Sequence, residues 1–182
     1  RRMNNILFNT HDIVLAVCIL FCGFFAVANN LSKTFSPGSR NLLTVFFVLS
    51  ACAFFDTLVF WGDAVRYAAF ALSPWLLMLF SFAAFAIGPF LYWFFRSLQQ
   101  PEVKLSARDY LQLIPALLAL PYLYWACLRH PIEQQQALIL NFSIFSNTQV
   151  HFFAFLTLKK LIPVVYGIWC LALIYRRPGF MA

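Results

Sequence analysis

Residues 42–61 read LLTVFFVLSACAFFDTLVFW, twenty positions with one charged side chain, Asp56, and neither proline nor glycine. A helix crosses the hydrocarbon core of a bilayer with about 20 predominantly apolar residues. This stretch meets that length, and four others in the chain come close to it. Spans are expected at about 12–30, 41–61, 74–96, 107–128 and 153–175. The fold class that follows is all-α, a polytopic membrane bundle of about five transmembrane helices. The 182-residue length suits one bundle over 1–182 and leaves no room for a separate soluble domain.

Composition excludes the alternatives. Charged residues make up 10% of the chain, against about 25% in soluble domains. Apolar residues make up 63%, with 23 phenylalanines, more greasy surface than a soluble core of this length could hide. The segment from Met3 onward lacks the small-residue cleavage site of a secretory signal. The formal net charge of +7 could suggest nucleic acid. The bases form no stripe with interleaved aromatics, however, so no nucleic-acid contact is expected from this chain.

Those bases lie mostly in loops and read as a topology signal. Lys33, Arg40, Arg96, Lys104, Arg108, Arg176 and Arg177 fall on one side, and Arg66 and Arg129 on the other. Adding Arg1 and Arg2 to the second group narrows the excess to seven against four, in the same direction. The excess of Lys and Arg in cytoplasmic loops then places the N-terminus outside and the C-terminus in the cytoplasm. An odd number of spans satisfies this arrangement.

Function is sought where the apolar rule breaks, because an ionisable group in lipid needs a partner or a task. Asp56 is the first break, and an ionised carboxylate at a helix centre costs about 2.5–3.5 kcal/mol on insertion scales. Lys159 and Lys160, near the outer end of the last span, are its candidate partners. Two readings stand: an ion pair that pins two helices while the other lysine snorkels, or a polar pocket open to the outer face. In the second, Asp56, Lys159 and Lys160 bind a small molecule, with Arg66 and His151 at the rim. The second break is Gly88-Pro89, expected to kink the third span, either as fixed packing or as a hinge. Its loosened backbone would be repaired by a hydroxyl such as that of Ser81.

No chemistry beyond this is indicated. Cys18 and Cys22 lie one turn apart without a histidine or carboxylate at ligand spacing, and read as packing. His11, His130 and His151 gather on the outer side without paired ligand spacing, so no metal is expected. No Ser-x-x-Lys, His-x-x-x-Asp or phosphate loop occurs, so neither a catalytic site nor a cofactor is expected. Tyr122-Leu123-Tyr124-Trp125 and Tyr92-Trp93-Phe94-Phe95 read as interfacial belts. Between residues 129 and 150 the pattern is mixed and too short for a crossing. It reads as an interfacial helix or loop.

The run Gly88-Pro89-Phe90-Leu91-Tyr92-Trp93-Phe94-Phe95-Arg96-Ser97-Leu98, then residues 105–109, then Leu111-Gln112-Leu113-Ile114-Pro115-Ala116-Leu117-Leu118, carries a resemblance. It is similar to the membrane-embedded N-terminal region of certain bacterial AraC-type transcription regulators, where a spaced pattern of Gly-Pro, Leu, Tyr, Tyr, any residue, then Arg-Ser-Leu precedes a polar loop and a proline-bearing helix. The leucine-rich approach to Phe55-Asp56 is similar too. Gln112 and Leu113 stand where that family often has a histidine. The family's helix-turn-helix domain is not in this chain, so DNA binding falls to no residue here. The resemblance implies a sensor or anchor domain in the bacterial inner membrane, multi-pass. A small-molecule ligand from the outer side, and a homodimer or a larger membrane complex, are its candidate partners. A non-catalytic subunit packing against a larger membrane complex is the rival reading, and an enzyme acting on lipids a weaker third.

Overall fold

The computed structural model describes residues 9–100, 105–141, 143 and 150–175, with residues 63 and 64 described in backbone alone. Among these the chain is helical and without strands, and five helical stretches are long and apolar enough to cross a membrane. They cover Thr10–Leu31, Pro37–Trp61, Pro74–Gln99, Ala107–Leu128 and Val150–Tyr175. Lys104, Arg176 and Arg177, along with Arg1 and Arg2, lie outside the described residues, as does part of the stretch before residue 150.

Helix α1 (Thr10–Leu31) starts on a reciprocal cap. Asn9 accepts from the backbone of the first turn, and Asp12 accepts from the Asn9 amide. Each bond satisfies an amide that the helix start leaves without a partner. Helix α2 (Pro37–Trp61) begins four residues before the expected Asn41. Ser36 caps it and Pro37 occupies the first turn, where a missing N–H costs nothing. The short loop makes α1 and α2 an antiparallel pair. Asn29 ties them by donating to the Arg40 carbonyl and to Thr44 Oγ1, both at 2.8 Å.

Past Gly62 the chain turns into the ten-residue helix α3 (Asp63–Leu72). The third span then enters as two tight 3₁₀ turns, Pro74–Leu77 and Leu79–Ser81, before α4 (Phe82–Gln99). Pro74 opens this span as expected. The fourth span is α5 (Ala107–Tyr110), a 3₁₀ turn, α6 (Ile114–Leu123) and a π turn over Tyr124–Leu128. Pro121 inside α6 cannot donate to the preceding turn. The wider turn follows at once, with the Arg129 amide reaching back to the Tyr124 carbonyl. Helix α7 (Ile132–Ile139) fills part of the mixed stretch, and α8 (Val150–Tyr175) is the last span.

The third span is the hub. Half of its most apolar window is buried within the protein, against 17% for α1 and 11% for α8. Helix α4 packs on α2, α6 and α8, whereas α1 packs chiefly on α2. At mid-depth the contact is made by small residues, Ala83, Ala86, Ala116 and Ala119, with Leu49 and Phe85. Small side chains let helices approach closely where lipid offers no hydrophobic drive for association. A second cluster lies at the end where α2 finishes, here the Trp61 end, and includes Val59, Leu77, Met78, Leu123, Cys127 and Phe152. The opposite end, where α2 begins, is the Ser36 end.

Candidate functional site

Asp56 precedes Trp61 by five residues, which puts it about 7.5 Å along the axis below the end of α2. It is 2% exposed. Both carboxylate oxygens are taken. Ser81 Oγ donates to Oδ1 at 2.6 Å, and Lys159 Nζ is bonded to Oδ2. The ammonium also lies 3.5 Å from Ser81 Oγ, so the three groups close a ring. Three spans therefore meet in one polar contact: α2 supplies the anion, the third span the hydroxyl and α8 the cation.

The backbone around Ser81 explains how a hydroxyl comes to stand there. Met78 has φ −131° and ψ −15°, outside helical geometry, and separates the two 3₁₀ turns. Such backbone is tolerated at membrane depth where protein covers it or where it lines a polar cavity. Leu77 and Met78 are almost fully buried, and beside them lies a cavity of about 40 Å³. Asp56, Thr57, Ser81 and Lys159 line its polar side, with Leu77 and Phe152 among the apolar walls. That volume suits a water molecule and is too small for a metabolite. A larger ligand needs the surrounding turns to part.

The expected site residues divide. Lys159 faces Asp56, while Lys160, turned about 100° further around the same helix, is exposed. Arg66 is buried on α3, with its guanidinium 5.4 Å from the centre of the Tyr67 ring, and does not line the cavity. His151 is exposed and lies outside the cavity as well. Its Nδ1 stands 2.7 Å from the Tyr122 hydroxyl, and its ring packs on Trp125, over which Arg129 also lies. These make an aromatic and basic rim at the Trp61 end.

The α-helix runs through Gly88-Pro89 from Phe82 to Gln99, with Pro89 inside it, and the irregular turns of the third span lie more than one turn earlier. The glycine also has a packing task. A Cβ on Gly88 would stand 2.6 Å from Tyr166 Cδ2 and 2.9 Å from Tyr166 Cβ, so α8 crosses α4 directly over it. Tyr166 is held there by Tyr92 and Trp169 and donates to Gln112 Oε1 at 3.1 Å. Ser81, expected to repair the proline defect, spends its hydroxyl on Asp56 instead. Sequence reasoning missed the Ser81 contact because the break at Met78 carries no proline or glycine to announce it.

The Ser36 end has its own polar knot. Asp109 accepts from the Ser106 amide at 2.7 Å and the Ser106 hydroxyl at 2.9 Å, while Arg96 Nη1 donates to its other oxygen at 2.7 Å. The carboxylate thus caps α5 and ties it to the end of α4. Asp109→Ala removes the cap and the bridge together and is expected to cost about 1–2 kcal/mol. Arg96→Ala, which leaves the cap in place, is expected to cost less. Unfolding of both variants in mixed detergent micelles checks the order.

Among the described residues, no three side chains of the metal-ligating kinds come together. Comparison of the chain with protein families, with curated proteins and with solved structures finds no match.

Proposed function

We propose that this bundle is the membrane-embedded sensory domain of a transcription regulator of the AraC type, set in a bacterial inner membrane with its C-terminus cytoplasmic. The observation that carries a sensory role is the Asp56–Ser81–Lys159 contact, which joins three spans at an irregular turn. An anionic group arriving from the Trp61 end would compete with Asp56 for Lys159. Losing the ammonium would free the carboxylate and Ser81, and with them the Met78–Ser81 turn that sets the start of α4. Because α4 touches α2, α6 and α8, a shift there reaches most of the bundle. The ligand shifts the balance only by its preference for the parted arrangement. The regulator assignment is supported by the resemblance around Gly88–Leu98 and Leu111–Leu118, and the cytoplasmic C-terminus by the loop charges.

The reading frame beyond Ala182 is expected to encode a helix-turn-helix region, and a stop codon there would overturn the regulator assignment. In that intact protein, Asp56→Asn and Lys159→Met are each expected to fix reporter transcription at one level regardless of added signal. Unaltered response in both variants, with normal membrane abundance, would remove the site from signalling.

A second reading is favoured by a separate observation. Helices α1 and α8 present long apolar faces, including Phe21, Phe24, Leu161, Val164 and Ile168, that stand exposed among the described residues. A non-catalytic subunit of a larger membrane complex would use such faces. Stoichiometric co-isolation with another membrane protein from native membranes would favour that role over sensing.

A further inference from the structure

A trough runs down the bundle between α2, α4 and α6, on a different face from the Asp56 site. Its inner stretch is apolar, about 430 Å³, and is lined by Leu49, Ala86, Phe90, Ala116 and Leu117 among others. Val45 lines it too, and Val45 also lines a second hollow of about 310 Å³ that continues toward the Ser36 end. The second hollow is polar at its mouth, with Gly38, Ser39, Asn41 and Ser97 on its walls. The Ser97 hydroxyl donates to Ser39 Oγ at 2.9 Å, and Ser39 lies 2.9 Å from Ser36. The two hollows meet at Val45, and taken together they make a slot with polar walls toward the Ser36 end and apolar walls toward mid-depth.

Its length fits the bilayer. From Gly38 to Leu49 is eleven residues of helix, about 16 Å at 1.5 Å per residue. Half of a hydrocarbon core of about 30 Å is about 15 Å. The slot thus spans roughly one leaflet, from the surface to the midplane. The end of the bundle that holds its mouth is basic, although the hollow itself is lined by uncharged residues. Among the described residues, the Ser36 end carries Lys33, Arg40 and Arg108, with Arg96 paired to Asp109. The N-terminus of the 25-residue α2 adds its positive dipole end. An anion at the surface with a hydrocarbon chain below it matches that distribution.

We propose that this slot binds one phospholipid, its phosphate at the Ser39–Asn41–Ser97 mouth and one acyl chain lying past Val45 toward Ala86 and Ala116. The phosphate is drawn by the basic end and by the Asn41 side-chain amide on the wall, while the Ser97 hydroxyl is engaged by Ser39 and the Phe94 carbonyl. The chain is held because the alanine floor leaves a channel between flanking leucines and phenylalanines. Such a lipid would cover the flank that α6 leaves open beside α2, and would stiffen the contact of both with α4.

The test is native mass spectrometry of the delipidated, detergent-purified protein titrated with phosphatidylglycerol. One phosphatidylglycerol per chain is expected, with oleate, which lacks the phosphate, binding at least about tenfold more weakly. Gly38→Trp and Val45→Trp fill the mouth and the junction. The first position is open, with nothing within 4 Å of an added Cβ, and Val45 is partly exposed. Each is expected to weaken phosphatidylglycerol at least about tenfold. Leu158→Trp, on the exposed face of α8, should bind as the parent protein does and shows that added tryptophan is not itself disruptive. Equal uptake by all four proteins would overturn the proposal. So would disulfide cross-linking of two copies carrying Val45→Cys in place of lipid uptake, since a second chain would then cover the slot.

Discussion

Lys159→Met is expected to lower the unfolding free energy of the bundle by about 3 kcal/mol, and Asp56→Leu by a similar amount. The double variant should recover to within about 1 kcal/mol of the parent protein. The reason is the asymmetry of buried ion pairs. Breaking one strands a charge in a medium that cannot solvate it, whereas replacing both partners with apolar groups removes the desolvation cost along with the attraction. Here the stranded group would be Asp56, 2% exposed and left with Ser81 alone, or Lys159 with a side chain 20% exposed. Ser81→Ala should cost less than either, because it removes a neutral hydroxyl and leaves the charges paired. A double-mutant cycle in mixed micelles measures the coupling. Strictly additive losses would mean that the two groups do not stabilise one another.

Gly88→Leu should be strongly damaging, and Gly88→Ala already costly. The alanine Cβ would meet Tyr166 at its Cβ and the near ring atoms, the parts of that side chain least able to move aside. Overpacking of this kind costs about 1–3 kcal/mol, against a helix-propensity gain near 1 kcal/mol from leaving glycine. A net loss is expected for alanine and a larger one for leucine. Gly167 supplies the control on the facing helix. An added Cβ there meets nothing within 4 Å, so Gly167→Ala should be neutral or slightly stabilising. Shortening the opposing side chain with Tyr166→Ala should restore part of what Gly88→Ala loses. If both glycine variants behave alike, close approach is not what Gly88 provides.

The spans were legible because bilayer thickness imposes a length on the sequence, and the runs around Asp56 and Lys159 display that length without ambiguity. The rotation of each helix was not. In a soluble bundle an apolar stripe marks the buried face. In α8, Leu158 and Leu161 are as apolar as the inward Phe155 and Leu156, so hydrophobicity cannot say which way the helix turns. That is why Lys159 and Lys160 were equivalent as partners for Asp56 until the packing of α8 on α4 fixed the choice. The Gly88-Pro89 pair illustrates a different loss. Proline marks a missing donor, and glycine a missing side chain, but neither states whether the consequence is a bend or a crossing. The partner that decides it, Tyr166, is 78 residues away (166 − 88). The third span's irregular turn, at Met78, lies between the buried Leu77 and Ser81, and neither glycine nor proline marks it in the sequence.

The separation of 103 residues between Asp56 and Lys159 bears on how the protein is made. Synthesis runs from the N-terminus, so α2 emerges with its carboxylate long before the ammonium exists, and Ser81 is the earlier of its two partners to arrive. Helix α8 carries two lysines into the bilayer and has α4 as its main neighbour. Lys159 therefore meets a carboxylate and a hydroxyl that were made before it. The ring of three groups closes only when α8 packs on the earlier spans, so it records that docking in a single contact.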